Sequence, residues 1–200
     1  MTKSISSALL LVLASVQWRC EHSMPNSSKN EAVSFFPMQI GNRWTYKLAH
    51  SEADWTFEVE VIGKIRIGDH QYSVFSQRHS VKPDAVSAFY RSGEDGKIYS
   101  NVEGQDWLYI DFGQPAGESW PSFFSYTGKI GQKDLDISVP AGTFENCIMV
   151  FHDIPQYADD EKLTIFARGV GPIEMTTFRM VFRLESAVVN GVRYGRGEVH

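Results

Sequence analysis

Three kinds of residue in this chain could do chemistry: closely spaced acids, scattered histidines and a cysteine in the body of the sequence. Glu58 and Glu60 stand two apart in Trp55-Thr-Phe-Glu-Val-Glu-Val61. On a strand they would share a face about 7 Å from each other, a separation compatible with the paired acids of a glycosidase. The same alternation puts Trp55, Phe57, Val59 and Val61 on the opposite face, the pattern of an amphipathic strand whose glutamates face solvent. Asp134 and Asp136, alternating with Leu135, Ile137 and Val139, read the same way. Ala158-Asp-Asp-Glu161 is acidic, but it lacks the alternating oxygen ligands and the glycine of a dedicated Ca²⁺ loop. His50, His70, His79, His152 and His200 form no His-x-His or His-Glu-x-x-His set, and no Cys-x-x-Cys joins them, so no zinc site is written in the sequence. No serine sits in Gly-x-Ser-x-Gly. Cys147 and His152, five apart on a strand, would face opposite sides about 17 Å from each other and could not act together. Catalytic residues, metal ligands and cofactors are therefore all read as none. A non-enzymatic role is favoured, with an envelope hydrolase using paired carboxylates as the alternative.

The side chains best suited to hold a ligand are aromatic. Trp44, Tyr46 and Trp120 each join a large apolar surface to one polar atom, so they can line a ligand mouth or plug an end of the core. Two of them belong to a block that occurs twice. Phe36-Pro-Met-Gln-Ile-Gly41-Asn-Arg-Trp44 and Phe112-Gly-Gln-Pro-Ala-Gly117-Glu-Ser-Trp120 share Phe, Gly and Trp at one internal spacing, about 76 residues apart. Further matches follow at nearly the same offset: Val-Phe at 74–75 and 150–151, Phe-x-Arg at 89–91 and 166–168, and Gly-x-Ile at 96–98 and 171–173. Repeated order at fixed offset marks repeated units. The expectation is an internal duplication, with half-units near residues 36–111 and 112–188.

Those residues must be positioned by strands. No window of ten residues keeps helical periodicity, whereas alternation and turn chemistry recur from Phe35 onward. Strands are predicted at Trp44–Ala49, Trp55–Val61, Gln71–Arg78, Ser87–Arg91, Lys97–Asn101, Trp107–Phe112, Asp134–Val139, Asn146–His152, Lys162–Arg168, Ile173–Thr177 and Met180–Val188. Val189-Asn-Gly-Val192 predicts a two-residue hairpin, because Asn and Gly both tolerate positive φ. Short links imply antiparallel neighbours in a meander. A twisted sheet of about ten strands curls, giving an all-β, strongly curved sheet, half-barrel or barrel.

The two hundred residues carry a net charge of −5 with 13% aromatics. That balance lacks the basic stripe nucleic acid requires, so no nucleic-acid partner is expected. Lys3 followed by Ala8-Leu-Leu-Leu-Val-Leu-Ala14 reads as an export signal within residues 1–20, too short to span a bilayer. Cleavage after Ala14 and acylation of Cys20 both stay open, although Gln17-Trp18-Arg19 lacks the small residue a lipidated cysteine wants before it. Membrane attachment is expected only through such an anchor. Residues 21–34 read as a flexible polar tether, and 35–200 as a single β domain.

Three motifs carry a resemblance. Phe36-Pro-Met-Gln-Ile-Gly-Asn-Arg-Trp-Thr-Tyr46, Val139-Pro-Ala-Gly-Thr-Phe-Glu-Asn-Cys147 and Ala167-Arg-Gly-Val-Gly-Pro-Ile-Glu174 resemble a broad group of bacterial exported proteins and lipoproteins of unknown function, and Tyr109-Ile-Asp-Phe112 followed by Gly117-Glu-Ser-Trp120 fits that group's mid-chain pattern. The likeness runs from about Phe35 to Glu185. Arg168 departs from the group, whose pattern more often has Pro there. The resemblance implies an exported β protein of the periplasm, outer membrane or exterior, and supplies no catalytic residue. The expected partner is a lipid or small apolar ligand, or another envelope protein.

Overall fold

The computed structural model describes residues 32–50, 55–123, 125–154 and 161–195. The expected signal, Cys20, most of the tether and the acidic residues Asp159 and Asp160 lie outside the described residues.

Thirteen strands form one antiparallel sheet: β1 (Arg43–Leu48), β2 (Thr56–Ile67), β3 (His70–His79), β4 (Lys82–Ser92), β5 (Ile98–Val102), β6 (Gln105–Ile110), β7 (Ser119–Pro121), β8 (Thr127–Val139), β9 (Gly142–Asp153), β10 (Lys162–Ala167), β11 (Gly171–Thr177), β12 (Met180–Val189) and β13 (Val192–Gly195). The spatial order β6-β5-β4-β3-β2-β1-β12-β11-β10-β9-β8-β7 sets two six-stranded meanders side by side, joined where β1 pairs with β12. The sheet curls into a nearly closed barrel. Its two end strands meet through side chains instead of a ladder. Trp120 Nε1 donates to Tyr109 O at 3.3 Å, Ser122 Oγ donates to Leu108 O at 2.9 Å, and His152 Nε2 lies 2.8 Å from Tyr109 O.

Both repeated blocks launch the first strand of a meander through one kind of turn. Gly41 and Gly117 take φ of 89° and 91°, a region open to glycine because it has no Cβ. Gly41 N donates to Val61 O at 2.8 Å, as Gly117 N does to Ile130 O at 2.7 Å. The carbonyls of Asn42 and Glu118 accept in return from Val61 N and Ile130 N. A β-bulge follows each partner residue, between Val61 and Gly63 in β2 and between Ile130 and Gln132 in β8. The equivalence is looser further on. Phe75 is buried, while Phe151, its match in the sequence pattern, is half-buried and Val150 beside it faces the core.

Several strands, β2, β4 and β9 among them, run longer than expected, and other departures have a clear physical cause. Strand β8 begins at Thr127, well before Asp134, and Gly128 and Gly131 hid it by interrupting the alternation. A Cβ on Gly128 would sit 2.3 Å from the Trp120 indole, and one on Gly131 would sit 2.2 Å from the Phe151 ring. The glycines are there to let those rings lie across the strand. Trp55 does not join the inner face of β2; it precedes the strand and is exposed. Residues 32–34, expected in the tether, belong to the body. Residues 32–35 form one helical turn in which Ala32 and Phe35 are buried. Phe35 stacks on Phe112, Gly169 N donates to Ser34 O at 2.6 Å, and this segment stoppers one end of the barrel. The short β7 and β13 raise the count above the expected ten.

Consecutive hairpins of a meander point to alternate ends. The stoppered end therefore collects the start of β1, the start of β7, and the β8–β9, β10–β11 and β12–β13 turns. The turns of all three motifs of the resemblance sit there. Asn190 and Gly191 take φ of 51° and 81°, the type I′ geometry expected of that pair. The buried Asn42 fastens this hairpin by accepting from Asn190 N at 2.8 Å through its Oδ1. On the outer face, Glu58, Glu60, Asp134 and Asp136 are exposed, unlike the apolar band of a membrane-spanning barrel.

Candidate functional site: the barrel cavity

The barrel interior is not filled by its own side chains. A cavity of about 560 Å³ runs between the two meanders, within the range that suits a small-molecule ligand. Its deep part is aromatic. Phe36, Pro37 and Trp44 line it beside Phe75, Phe166 and Pro172, and Tyr90 and Tyr109 stand on one wall. Polar side chains gather toward the opposite end, where Gln77, Ser87, Glu103, Lys162 and Thr177 lie near the β3–β4, β5–β6, β9–β10 and β11–β12 turns.

Trp44 and Tyr46 line this cavity, and alternation along β1 turns both inward. Their polar atoms are already occupied. Trp44 Nε1 donates to Val170 O at 2.7 Å and Tyr46 Oη to Pro172 O at 2.9 Å, so each offers a ligand its ring and not its donor. Trp120 lies outside the lining. Its indole sits across Gly128 in the seam, where its N–H is spent on Tyr109.

The seam holds the residue that sequence reasoning missed. His152 is 3% exposed, stacks on Tyr109 at 4.8 Å between ring centres, and lines the cavity. Burial holds its imidazole down at about 4, against an ordinary 6.5; the hydrogen bond to Tyr109 O opposes that shift and Lys162 adds to it. The ring is therefore neutral near pH 7, and Nε2 donates to the Tyr109 carbonyl. Tyr90 and Tyr109 are kept protonated for the same reason: burial raises Tyr90 well above its usual value and pushes Tyr109 up to about 12. The only signal for His152 was its inward phase along β9, which it shares with Ile148 and Val150.

Lys162 stands at the mouth with its Nζ 4.6 Å from the centre of the Tyr126 ring and 5.9 Å from that of Phe123. Among the described residues it has no carboxylate partner. Glu103 is the one carboxylate among the described residues of the wall. The more enclosed acids are engaged elsewhere. Asp106 binds Arg91 and accepts from Tyr72 Oη at 3.0 Å. Asp111 accepts from Gly113 N at 3.1 Å and Gln114 Nε2 at 3.0 Å, and Glu174 pairs with Arg183 at 2.8 Å. Paired-acid hydrolysis needs two carboxyl groups converging on one cleft, and the described wall offers one. Cys147 is buried, its Sγ 3.4 Å from Phe144 O, and burial lifts its thiol to about 11, so it is not a nucleophile near neutral pH.

No protein-family model matches the chain, and no curated sequence matches it. Two solved structures match this chain. One is described as a "putative exported protein with YmcC-like fold" from Bacteroides fragilis, 13% identical, covering 76% of this chain and 98% of its own, with a TM-score of 0.51. The other is described as a "putative lipoprotein" from Parabacteroides distasonis, 12% identical, covering 76% of this chain and 97% of its own, with a TM-score of 0.43. The first likeness shows the fold. This chain has the YmcC-like β architecture.

Proposed function

We propose that this protein is an exported, non-enzymatic carrier that holds a small apolar or amphiphilic molecule in the barrel cavity. The cavity itself carries the reading: it is open at one end, aromatic at depth and polar toward its mouth. A ligand with an apolar body and a polar end matches that gradient, because the body leaves water while the end stays near groups that can hydrogen-bond. Lys162 is placed to meet a polar or anionic end group.

Export is supported by the leader, with Lys3 ahead of the apolar run Ala8–Ala14, and by the description of the Bacteroides structure that shares the fold. The motifs that resemble exported proteins and lipoproteins serve turns at the stoppered end, and the first of them also supplies Trp44 and Tyr46 to the cavity wall. Cys20 is the candidate attachment point, which would keep the carrier at the envelope. We also read the two meanders as copies of one ancestral unit, on the strength of the matched turns at Gly41 and Gly117 and the matched bulges in β2 and β8.

Native mass spectrometry of protein purified from the envelope of its producing cells tests the carrier reading. The expected result is a population heavier than the chain by one small molecule, released on unfolding. A spectrum of bare protein, unchanged by incubation with a series of fatty acids, alcohols and aromatic amphiphiles, would count against it.

A further inference from the structure

His152 and Lys162 face each other across the β9–β10 ladder, where they are direct register partners. Opposed residues of an antiparallel pair turn their side chains to one face, with Cβ atoms about 5 Å apart. Here that face is the cavity, which both residues line. Lys162 Nζ and the His152 ring centre each lie 5.9 Å from the centre of the Phe123 ring, so ammonium, imidazole and phenyl ring form one corner.

The two polar groups of this corner offer opposite things. A backbone carbonyl only accepts, so the bond to Tyr109 O fixes the proton on Nε2 and leaves Nδ1 of the neutral ring a bare lone pair. Among the described residues no group donates to Nδ1, yet the atom is not sealed from the cavity that its ring lines. Lys162 brings a positive charge and only donors. The other charged side chains of this end do not engage it. Glu103 is exposed in the β5–β6 turn, on the wall of the other meander. Glu161, Asp84, Lys82 and Arg179 are exposed, and Asp153 takes the outward phase of β9. Among the described residues none of the acids pairs with Lys162.

An alkyl chain laid over Nδ1 would strip its water and return nothing, which makes a purely apolar occupant costly at this point. A carboxylate by itself satisfies Lys162 but sets one lone pair against another at Nδ1. A hydroxyl beside the carboxylate satisfies both groups. We propose that this corner selects a hydroxy carboxylic acid with an apolar tail, its carboxylate accepting from Lys162 Nζ and its hydroxyl donating to His152 Nδ1. Both residues stand at the open end of their strands, so the tail runs inward, toward Trp44 and Phe166. The inference deepens the carrier reading and rests on it, since it assigns the head group of the molecule carried.

Displacement of 1-aminoanthracene from the full chain tests it, with 3-hydroxytetradecanoic acid and tetradecanoic acid as paired competitors. The hydroxy acid should compete roughly tenfold more strongly. His152→Gln offers an amide nitrogen to Tyr109 O in place of Nε2 and removes the Nδ1 acceptor, so the preference for the hydroxy acid should disappear. Lys162→Met should weaken both acids alike, by about fivefold, and keep the preference. The comparison of the two acids on the unsubstituted chain needs no variant and decides by itself. If the probe binds but the two acids compete equally, or neither competes, this inference falls and the carrier reading stands. A preference that survives His152→Gln would also overturn it. Absence of saturable probe binding would overturn both.

Discussion

His152 shows how much one side chain can report about this barrel. Its pKa falls on folding, so the native state favours the neutral ring and binds fewer protons than the unfolded chain between about 4 and 6.5. The stability it supports is complete above 6.5 and is lost as pH falls toward 4, by roughly 3 kcal/mol at most. Urea denaturation at pH 7 and pH 4.5 should show that loss in the unsubstituted protein. His152→Phe should remove this part of it while carboxylate contributions remain. Gly128 makes a second prediction at this scale. Gly128→Ala would drive a methyl group to within 2.3 Å of the Trp120 ring. The barrel should lose about 1–3 kcal/mol, read as a lower midpoint in denaturant, with the seam opening first. The sequence carries both residues plainly, but a glycine that breaks the alternation and a histidine read as a failed catalytic partner gave no hint of a seam. The seam joins β6 to β7 and β9 across many residues, and no local period records such a contact.

At the scale of elements, local physics was legible and long-range physics was not. Alternation located β1, β3, β9 and β12 within a few residues, and Asn190-Gly191 specified its own turn, because each is decided by neighbours along the chain. The helical turn at residues 32–35 was missed because Phe35 is held by Phe112 and Arg168 and Ser34 by Gly169, all far away in sequence. Asn42 is the same kind of case. It looks like a turn residue, yet it is buried and binds the backbone of Asn190. Asn42→Ala should leave Asn190 N without that acceptor and cost about 1–2 kcal/mol. Hydrogen exchange should localise the loss to the β12–β13 hairpin and the start of β1. Asn190→Ala keeps that backbone donor, so its cost should come from the positive φ of the turn and not from this bond.

At the scale of the molecule, the two ends of the barrel divide the work. The stoppered end holds Gly41, Gly117, Gly142 and Gly171, the residues 32–37 and the turns of the motifs by which the chain resembles other exported proteins. The open end holds the polar part of the cavity and Lys162. Trp44 and Tyr46 were singled out for their aromatic surface, and they do line the cavity. Trp120, chosen by the same argument, lines none of it, because residue type could not tell a cavity wall from a seam. The container was legible because turns impose strict residue requirements; an empty space imposes few, so its presence and contents left little trace in the sequence.

Ligand carriage requires that space to be a binding site. Titration of 1-aminoanthracene, an apolar probe whose emission rises on leaving water, tests it most directly when run on the unsubstituted chain and on Ala88→Phe, which places a ring in the cavity wall. Saturable one-to-one binding by the former, lost at least tenfold in an equally well folded Ala88→Phe, is the predicted result. Absence of saturable binding, or identical binding by both, would contradict it.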